Sequence, residues 1–153
     1  MNLSAGIIGG GRATPETTEQ AYCIGQMLAR RGYTLVCGGL GGVMEAASHG
    51  AYDGGGTVIG ILPGPSTCDA NRYVTHAVAT NMGHARNVII AHTADFLVAI
   101  GGEEGTLSEI AIGLKLGKKV YSIGSWDIPG VMKANSPESL ERLLLADGSI
   151  AQD

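Results

Sequence analysis

The sequence predicts one α/β domain, in which a parallel β-sheet carries helices on both of its faces. Three observations support this fold class. Short apolar runs end in clusters of glycine, and a helical pattern follows each of those clusters. Apolar residues make up 44% of a 153-residue chain, which is enough for the core of one domain. Because strands that are buried on both faces read as continuous apolar runs, the runs indicate a parallel sheet.

The predicted strands are apolar runs bounded by turn residues. Three of the runs are followed directly by the glycine clusters, and alternation of such runs with helical patterns is typical of strand–helix–strand units. In chain order the predicted strands are Ser4 to Ile8, Thr34 to Cys37, Thr57 to Leu62, Val74 to Ala79, Phe96 to Ile100 and Lys119 to Ile123.

The first helix has the clearest boundaries. The segment Thr14-Pro15-Glu16 supplies an N-cap, a proline at the first helical position and an acidic first turn. Ala21, Ile24 and Leu28 then repeat at helical spacing until Gly32 ends the pattern.

The remaining helices are predicted from the same spacing of apolar residues and from terminal signals. One extends from Val43 to Tyr52, and the last begins at Ser136-Pro137-Glu138 and ends near Asp147-Gly148. Two further helices are indicated by stripes at Ala85, Val88, Ile89 and His92, and at Leu107, Ile110, Ala111 and Leu114.

We predict a single domain over residues 1–148, followed by a short tail at 149–153. Ten basic against fourteen acidic residues argue against nucleic acid or an anionic membrane as a partner, since both require a basic surface.

The lack of a long apolar stretch or a signal-peptide pattern predicts a cytoplasmic protein. Cys23, Cys37 and Cys68 are widely spaced, and we interpret them as buried thiols in a reducing compartment.

Glycine accounts for 25 residues, and its clusters predict where a ligand binds. Gly9–Gly11, Gly38–Gly42 and Gly101–Gly105 each follow the carboxyl end of a predicted strand, and parallel strands bring those ends to one edge of the sheet. Glycine lets the backbone approach a phosphate closely, and the helices that follow present free N–H groups. A further cluster, Gly54–Gly56, lies at the opposite edge and predicts only a turn.

Common nucleotide-binding and metal motifs are absent or incomplete. The segment from Gly9 to Thr14 satisfies only the first half of GxGxxG, and the second strand ends in Cys37-Gly38 rather than in an acidic residue. The patterns GxxxxGK[ST], HExxH and GxSxG do not occur, and the four histidines are dispersed. We therefore predict no bound cofactor and no metal site.

Three segments carry a resemblance to a known family. They are Gly38 to Glu45 (GGLGGVME), Met82 to Asn87 (MGHARN) and Gly101 to Glu109 (GGEEGTLSE). In this order they resemble the Lonely Guy (LOG-like) Rossmann superfamily, and within it the small bacterial branch near the molybdenum cofactor carrier proteins. The resemblance covers roughly residues 3–123 and implies a Rossmann-like three-layer domain.

The resemblance implies a nucleotide or pterin phosphate in the crevice, and a homodimer or homotetramer. In the family's enzymes an arginine after a methionine acts with the glutamate of PGGxGTxxE in N-glycosidic cleavage, which makes Arg86 and Glu109 the catalytic candidates. The glycine clusters and the resemblance together predict the ligand-binding residues Gly10, Gly11, Arg12, Gly38, Gly39, Gly41, Gly42, Glu45, Gly101, Gly102, Gly105 and Thr106.

Each charged candidate has an alternative interpretation. The segment Thr106 to Glu109 also fits a capping box. Glu45 stands in the first turn of a helix, where the helix dipole favours acids. Arg86 stands near a helix start, where the dipole disfavours a cation, so a bound anion would explain it and a solvated surface arginine is the alternative. Arg12 follows a glycine cluster and could face a phosphate or the solvent.

The sequence departs from the enzymes' pattern at Gly101, where they have proline, at Glu103 and Glu104 in the phosphate loop, and at Asn87, where lysine is frequent. Carboxylates repel a phosphate unless they point outward or meet a cation. The leading hypothesis is therefore a protein that binds a phosphorylated ligand. The alternatives are a nucleoside 5′-monophosphate phosphoribohydrolase and a carrier of molybdenum cofactor. Lysine decarboxylation is excluded, because no lysine stands in a recognisable pyridoxal-phosphate setting.

Overall fold

A computed structural model of the chain describes residues 3–152. Strands and helices alternate through most of this range, with 3-10 turns at Thr67–Asp69 and Gly83–Arg86. The elements are β1 (Ser4–Gly9), α1 (Pro15–Arg30), β2 (Thr34–Cys37), α2 (Val43–Asp53), β3 (Val58–Leu62), β4 (His76–Ala79), α3 (Asn87–Thr93), β5 (Phe96–Ile100), α4 (Glu104–Lys115), β6 (Lys119–Ile123), β7 (Met132–Ala134) and α5 (Pro137–Ala146).

Every strand pair of the sheet is parallel, and the strand order is β4-β3-β2-β1-β5-β6-β7. The chain builds the sheet outward from β1 in one direction as far as β4, then crosses back to place β5 on the other side of β1. This reversal opens a crevice at the carboxyl ends of β2, β1 and β5, which is where open α/β sheets bind ligands. The three predicted glycine clusters follow these three adjacent strands.

Side chains alternate between the two faces of the sheet, and each face has its own core. On β5, Phe96, Val98 and Ile100 pack with α1, α2 and α5, whereas Leu97 and Ala99 pack with α3 and α4. The central strands are buried on both sides, as their continuous apolar sequences predict. The predicted class, a three-layer α/β domain with a parallel sheet, is confirmed.

Helices α1 and α2 lie unusually close because glycine stands at both points of contact. A Cβ atom on Gly25 would lie 2.1 Å from the carbonyl oxygen of Ala47, and one on Gly50 would lie 1.9 Å from that of Tyr22. The predicted start of α1 is confirmed, since the Thr14 hydroxyl accepts a hydrogen bond from the Thr17 N–H at 3.2 Å. This close packing fixes the direction in which α2 leaves the second glycine cluster.

The predicted faces of α3 and α4 are only partly correct, and the difference bears on the site. In α3 the buried residues are Asn87, Ile90 and Ala91, whereas Ala85, Val88 and His92 of the predicted stripe are exposed. In α4 the predicted Ile110 is buried and Leu114 packs against the core, whereas Ala111 is exposed. Thr106, Glu109 and Gly113 are buried as well, and the stripe did not include them. In both helices, polar residues that face the crevice form part of the buried face. A stripe of apolar residues does not reveal that part.

Three smaller differences separate the structure from the sequence-based expectation. Strand β7 was not predicted, because it is a three-residue edge strand with no apolar run. Cys37 is buried, but Cys23 and Cys68 are exposed, so the interpretation of three buried thiols is wrong. Ile150 is 2% exposed and packs in the core beside α5. Within residues 3–152 no helix is both long and apolar enough to cross a membrane.

We expect Gly25→Ala to destabilise the protein, because the added methyl group would force α1 away from the Ala47 carbonyl. Overpacking of this kind costs about 1–3 kcal/mol of unfolding free energy. Urea unfolding followed by circular dichroism measures the loss. Cys23→Ala, an exposed position on the same helix, is the control and should change stability by less than about 0.5 kcal/mol. Equal stability of the two variants would contradict the close helix contact.

Candidate functional site

A cleft of about 250 Å³ opens at the carboxyl end of β1, between the loops that follow β2 and β5. Its floor is formed by the end of β1, and its walls come from the glycine clusters, from the segment before α3 and from the first turns of α4. The residues that line it are Ile7, Ile8, Gly9, Gly10, Gly11, Gly38, Leu40, Met44, His84, Arg86, Asn87, Glu103, Gly105, Thr106 and Glu109.

Arg86 is the buried cation of this cleft. Its side chain is 7% exposed, and its Nε–H donates to the carbonyl oxygen of Ile61, at the end of β3, over 2.8 Å. The guanidinium lies against Gly38, where a Cβ atom would be 2.8 Å from Nη2. Glycine at this position therefore makes room for the guanidinium.

Asn87 fixes Arg86 to the opposite wall of the cleft. Its Oδ1 accepts a hydrogen bond from Nη1 of Arg86, and its Nδ2 donates to Ser108 Oγ at 3.3 Å and to the Gly105 carbonyl at 3.5 Å. Arg86 is thereby linked to β3 on one side and to α4 on the other. A guanidinium with bonds on both sides keeps one orientation toward the cleft, so it is preorganised for an anion.

Glu109 is a buried carboxyl group on the same cleft. It is 7% exposed, and it has no hydrogen bond or ion pair with any residue in the range 3–152. Burial raises its pKa from 4.5 to about 8, although the nearby positive charge of Arg86 acts in the opposite direction. Burial also lowers the pKa of Arg86, against the influence of Glu109. At neutral pH Glu109 therefore carries a proton and Arg86 keeps its charge.

This arrangement can bind an anion and can donate a proton. Arg86 is a fixed cation whose charge the neutral Glu109 does not compensate. The first turn of α4, with Gly105 and Thr106 on the cleft wall, adds backbone N–H groups at the positive end of a helix dipole. A protonated carboxyl group in an apolar site is the usual form of a general acid.

The predicted site residues fall into three groups. Seven of them line the cleft together: Gly10, Gly11, Gly38, Arg86, Gly105, Thr106 and Glu109. Another three line a neighbouring hollow that also contains Gly11, His49 and Tyr73: Arg12, Gly42 and Glu45. The remaining ones lie beside the cleft without lining it: Gly39, Gly41, Gly101 and Gly102.

The structure decides between the alternative interpretations of two segments. Helix α4 begins at Glu104 with Glu103 as its N-cap residue, so Thr106 and Glu109 lie inside the helix and do not form a capping box. Arg86 is buried and hydrogen-bonded, so it is not a solvated surface arginine.

Sequence reasoning missed several cleft residues. Asn87 was noticed only as a departure from the enzymes' lysine, although its position directly after Arg86 was a signal that it contacts the arginine. Leu40, Met44 and His84 also line the cleft. They stand inside the segments GGLGGVME and MGHARN that carry the family resemblance, but sequence reasoning assigned them no role in the site.

The two acidic residues of the third loop have different positions. Both residues are exposed, but Glu103 lines the cleft and Glu104 does not. The Glu103 carbonyl accepts hydrogen bonds from the Trp126 indole N–H at 3.1 Å and from the Leu107 N–H at 3.0 Å. In the part of the chain that the structure describes, no three His, Cys, Asp or Glu side chains are placed to hold a metal ion together.

The fold and the composition of the cleft define a Rossmann-type protein of the LOG-like class. The model of the SLOG cluster4 family matches residues 2–149, and the chain belongs to this family. An uncharacterized protein of Archaeoglobus fulgidus is 49% identical over 121 residues, which are 79% of this chain and 80% of that protein.

Two solved structures and one enzyme indicate the neighbouring families. The molybdenum cofactor binding protein from Rippkaea orientalis superposes with a TM-score of 0.90 at 36% identity, covering 96% of this chain and 98% of its own. The molybdenum cofactor carrier protein from Chlamydomonas reinhardtii superposes with a TM-score of 0.87 at 29% identity. This match covers 97% of this chain and 99% of that protein. The cytokinin riboside 5′-monophosphate phosphoribohydrolase LOG from Oryza sativa is 36% identical over 96 residues, which are 60% of this chain but only 39% of the enzyme. The predicted family is confirmed.

We expect the buried Glu109 to make stability depend on pH. The unfolded chain loses this proton near pH 4.5, whereas the folded protein keeps it up to about pH 8, so stability falls as the pH rises through this interval. Glu109→Gln has no titrating group at this position and should not lose stability in this way. The unfolding free energy of the variant relative to that of the wild type should therefore increase by up to about 1.4 kcal/mol for each unit that the pH rises.

Urea unfolding at several pH values between these limits measures the difference. Glu104→Gln is the matched control, because it makes the same substitution at an exposed residue and leaves Glu109 in place. Its stability should keep the fall with rising pH that Glu109 causes in the wild type. A pH-independent difference between wild type and Glu109→Gln would show that Glu109 is ionised in the folded protein.

Proposed function

We propose that this protein binds a small phosphorylated ligand, a nucleotide or a pterin phosphate, in the cleft at the carboxyl end of β1. The observation that carries the proposal is the charge of Arg86. Its guanidinium is buried at the cleft wall, and no carboxylate lies within ion-pair distance of it among residues 3–152. A buried charge without a partner is costly, and a bound phosphate would compensate it with charge-assisted hydrogen bonds.

The backbone around Arg86 supports a phosphate in particular. Gly10, Gly11 and Gly105 line the cleft, and the absence of side chains there lets a ligand approach main-chain N–H groups. The N-terminal turn of α4 supplies further donors. Arg12 and Glu45 lie in the adjacent hollow, so we assign them to the outer rim of the site rather than to the phosphate position.

Similarity over the whole chain favours a pterin phosphate as the ligand class. The molybdenum cofactor binding protein of Rippkaea orientalis matches nearly the full length of this chain, whereas the match to the rice phosphoribohydrolase covers less than half of that enzyme. Binding without chemistry would make the protein a carrier of the cofactor. We further propose a homodimer or homotetramer, as the family resemblance implies, and a cytoplasmic location.

We expect Arg86→Lys to raise the dissociation constant for the phosphorylated ligand by at least about tenfold, because lysine cannot keep the bonds to Ile61 and Asn87 while facing the cleft. Isothermal titration calorimetry with GMP, AMP and a pterin monophosphate measures the change. Arg30→Lys, on an exposed residue at the end of α1, is the control and should bind as the wild type does.

Thermal unfolding verifies that the Arg86→Lys variant is folded before it is titrated. If the wild type binds none of the three ligands at millimolar concentration, the proposed function is wrong. If wild type and Arg86→Lys bind equally, the ligand does not use the Arg86 guanidinium.

A second candidate function is hydrolysis of a nucleoside 5′-monophosphate to the free base and ribose 5-phosphate. It is favoured by Glu109, whose proton is available at neutral pH on the same cleft as Arg86. Arg86 would hold the phosphate, and Glu109 would donate its proton to the ring nitrogen of the departing base as the C1′–N bond breaks. Water would then form the new C1′–O bond and return a proton to Glu109.

We expect Glu109→Gln to abolish release of the base while leaving binding within about threefold, because glutamine keeps the volume but carries no transferable proton. Chromatography of the wild type and the variant after incubation with AMP, GMP and CMP measures the free base. Ligand binding without base release by the wild type would exclude hydrolysis of these substrates and leave the carrier function.

A further inference from the structure

We propose that Trp126, the only tryptophan of the chain, is a positioning residue for the phosphate that the cleft binds. It lies in the segment after β6, and its indole N–H donates a hydrogen bond to the Glu103 carbonyl oxygen over 3.1 Å. This bond fixes the peptide group with which α4 begins. The inference rests on the proposed function, because it requires a phosphate at the first turn of α4.

The loop that leads into α4 has a backbone that its surroundings confine only weakly. Gly101 and Gly102 have φ angles of +54° and +99°, a region that favours glycine. Apart from its chain neighbours, a Cβ atom on Gly101 would meet no atom closer than 3.8 Å, and one on Gly105 none closer than 4.0 Å. Gly102 is tightly packed, but against Thr106 of the same segment. Hydrogen bonds from outside the loop are therefore needed to hold it in one conformation.

Two such bonds come from the end of β6 and from the segment after it. The Gly101 N–H donates to the Ile123 carbonyl oxygen at 3.0 Å, which attaches the beginning of the loop. The Trp126 bond reaches two residues further, to the N-cap residue Glu103. Asn87 contacts the following turn at the Gly105 carbonyl, but over a longer distance of 3.5 Å. Trp126 is thus the contact that holds the start of the helix itself.

The orientation of the Glu103 carbonyl determines the direction of an N–H group. Its oxygen accepts from the Leu107 N–H at 3.0 Å and from the Trp126 indole at 3.1 Å, so two donors hold this peptide group. A trans peptide directs its N–H opposite to its C=O, and no described peptide bond is cis. The N–H of Glu104, which belongs to the same peptide group, is therefore directed out of the N-terminal end of α4.

The N–H groups of this turn are available to a ligand. Those of Glu104, Gly105 and Thr106 precede the first hydrogen bond of the helix, and no side chain among residues 3–152 caps them. A second observation indicates that a ligand belongs here: Arg86 and Glu109, each 7% exposed, line the same cleft as this turn. A phosphate at this position meets aligned donors and the positive end of a helix dipole.

The indole bond contributes to affinity by preorganisation. Without it the Glu103 carbonyl keeps only its bond to Leu107, and the glycines before it gain freedom that a bound phosphate must remove. The loss acts where the phosphate binds and not where the ring lies. It should therefore weaken all phosphorylated ligands by a similar factor, whatever ring they carry.

The test removes the indole donor while keeping the shape of the side chain. Because the chain has one tryptophan, a tryptophan-auxotrophic host that is supplied with 3-benzothienylalanine, in which sulphur replaces the N–H, changes residue 126 alone. We expect the dissociation constants of GMP, AMP and a pterin monophosphate each to rise about three- to tenfold, as the loss of one hydrogen bond implies. Isothermal titration calorimetry measures them, and Trp126→Phe should lose at least as much affinity.

Tyr22→Phe is the matched control. It also removes one aromatic hydrogen-bond donor, whose bond to Asp53 measures 2.8 Å, but Tyr22 does not line the cleft. This variant should bind all three ligands as the wild type does. Thermal unfolding verifies that each protein is folded before it is titrated.

The fluorescence of Trp126 supplies a readout that a merely structural role would not change. A phosphate bound to the Glu104 N–H polarises the peptide group whose oxygen accepts the indole bond. We therefore expect ribose 5-phosphate, which does not absorb at the excitation wavelength, to change the emission of the wild type saturably. Ribose without the phosphate should leave the emission unchanged.

The outcomes separate this role from the proposed function. If no phosphorylated ligand binds the wild type, the proposed function is wrong and the role of Trp126 fails with it. If the ligands bind but the benzothienylalanine protein binds them as tightly, loses affinity for only one of them, or loses no more than Tyr22→Phe, the role of Trp126 is wrong while ligand binding stands. Nucleotide binding without any emission response to ribose 5-phosphate would likewise overturn it.

Discussion

The site depends on the burial of one guanidinium at the carboxyl end of the central strand. Arg86 reaches this position because Gly38 leaves room for it, and it stays there because Ile61 and Asn87 accept its N–H groups. These contacts come from β2, β3 and α3, and Asn87 extends them to α4. A single buried charge thus contacts the loop after β2 and the end of β3, and through Asn87 it is linked to α4.

The burial of Glu109 itself explains its protonation state. Arg86 and Glu109 are both removed from water, and for Glu109 the cost of losing hydration outweighs the attraction to the arginine, so the carboxyl group keeps its proton. The cleft therefore has an uncompensated positive charge beside a neutral acid. A phosphate ester suits both features, whether the protein only holds the ligand or also cleaves it.

The glycine content serves two different purposes that the sequence does not distinguish. Some glycines line the cleft and expose the backbone to a ligand, as Gly10 and Gly105 do. Others allow parts of the protein to approach closely, as Gly25 and Gly50 do between α1 and α2. The clusters at strand ends were visible in the sequence because they are contiguous. The helical glycines were not, because their effect depends on a partner helix that is distant in the chain.

The sequence by itself determined the parallel sheet and the order of every element except β7, and it predicted the edge at which we propose that a ligand binds. These follow from local patterns: continuous apolar runs, the Thr14-Pro15 helix start and glycine clusters after three of the strands. The family followed from the resemblance of three motif segments. Tertiary structure alone decided which faces of α3 and α4 turn inward, and thereby that Arg86, Asn87, Thr106 and Glu109 are buried together. The reason is physical. Apolar periodicity indicates where water is excluded by hydrophobic packing, whereas these polar residues are buried by a cleft that three separate loops enclose.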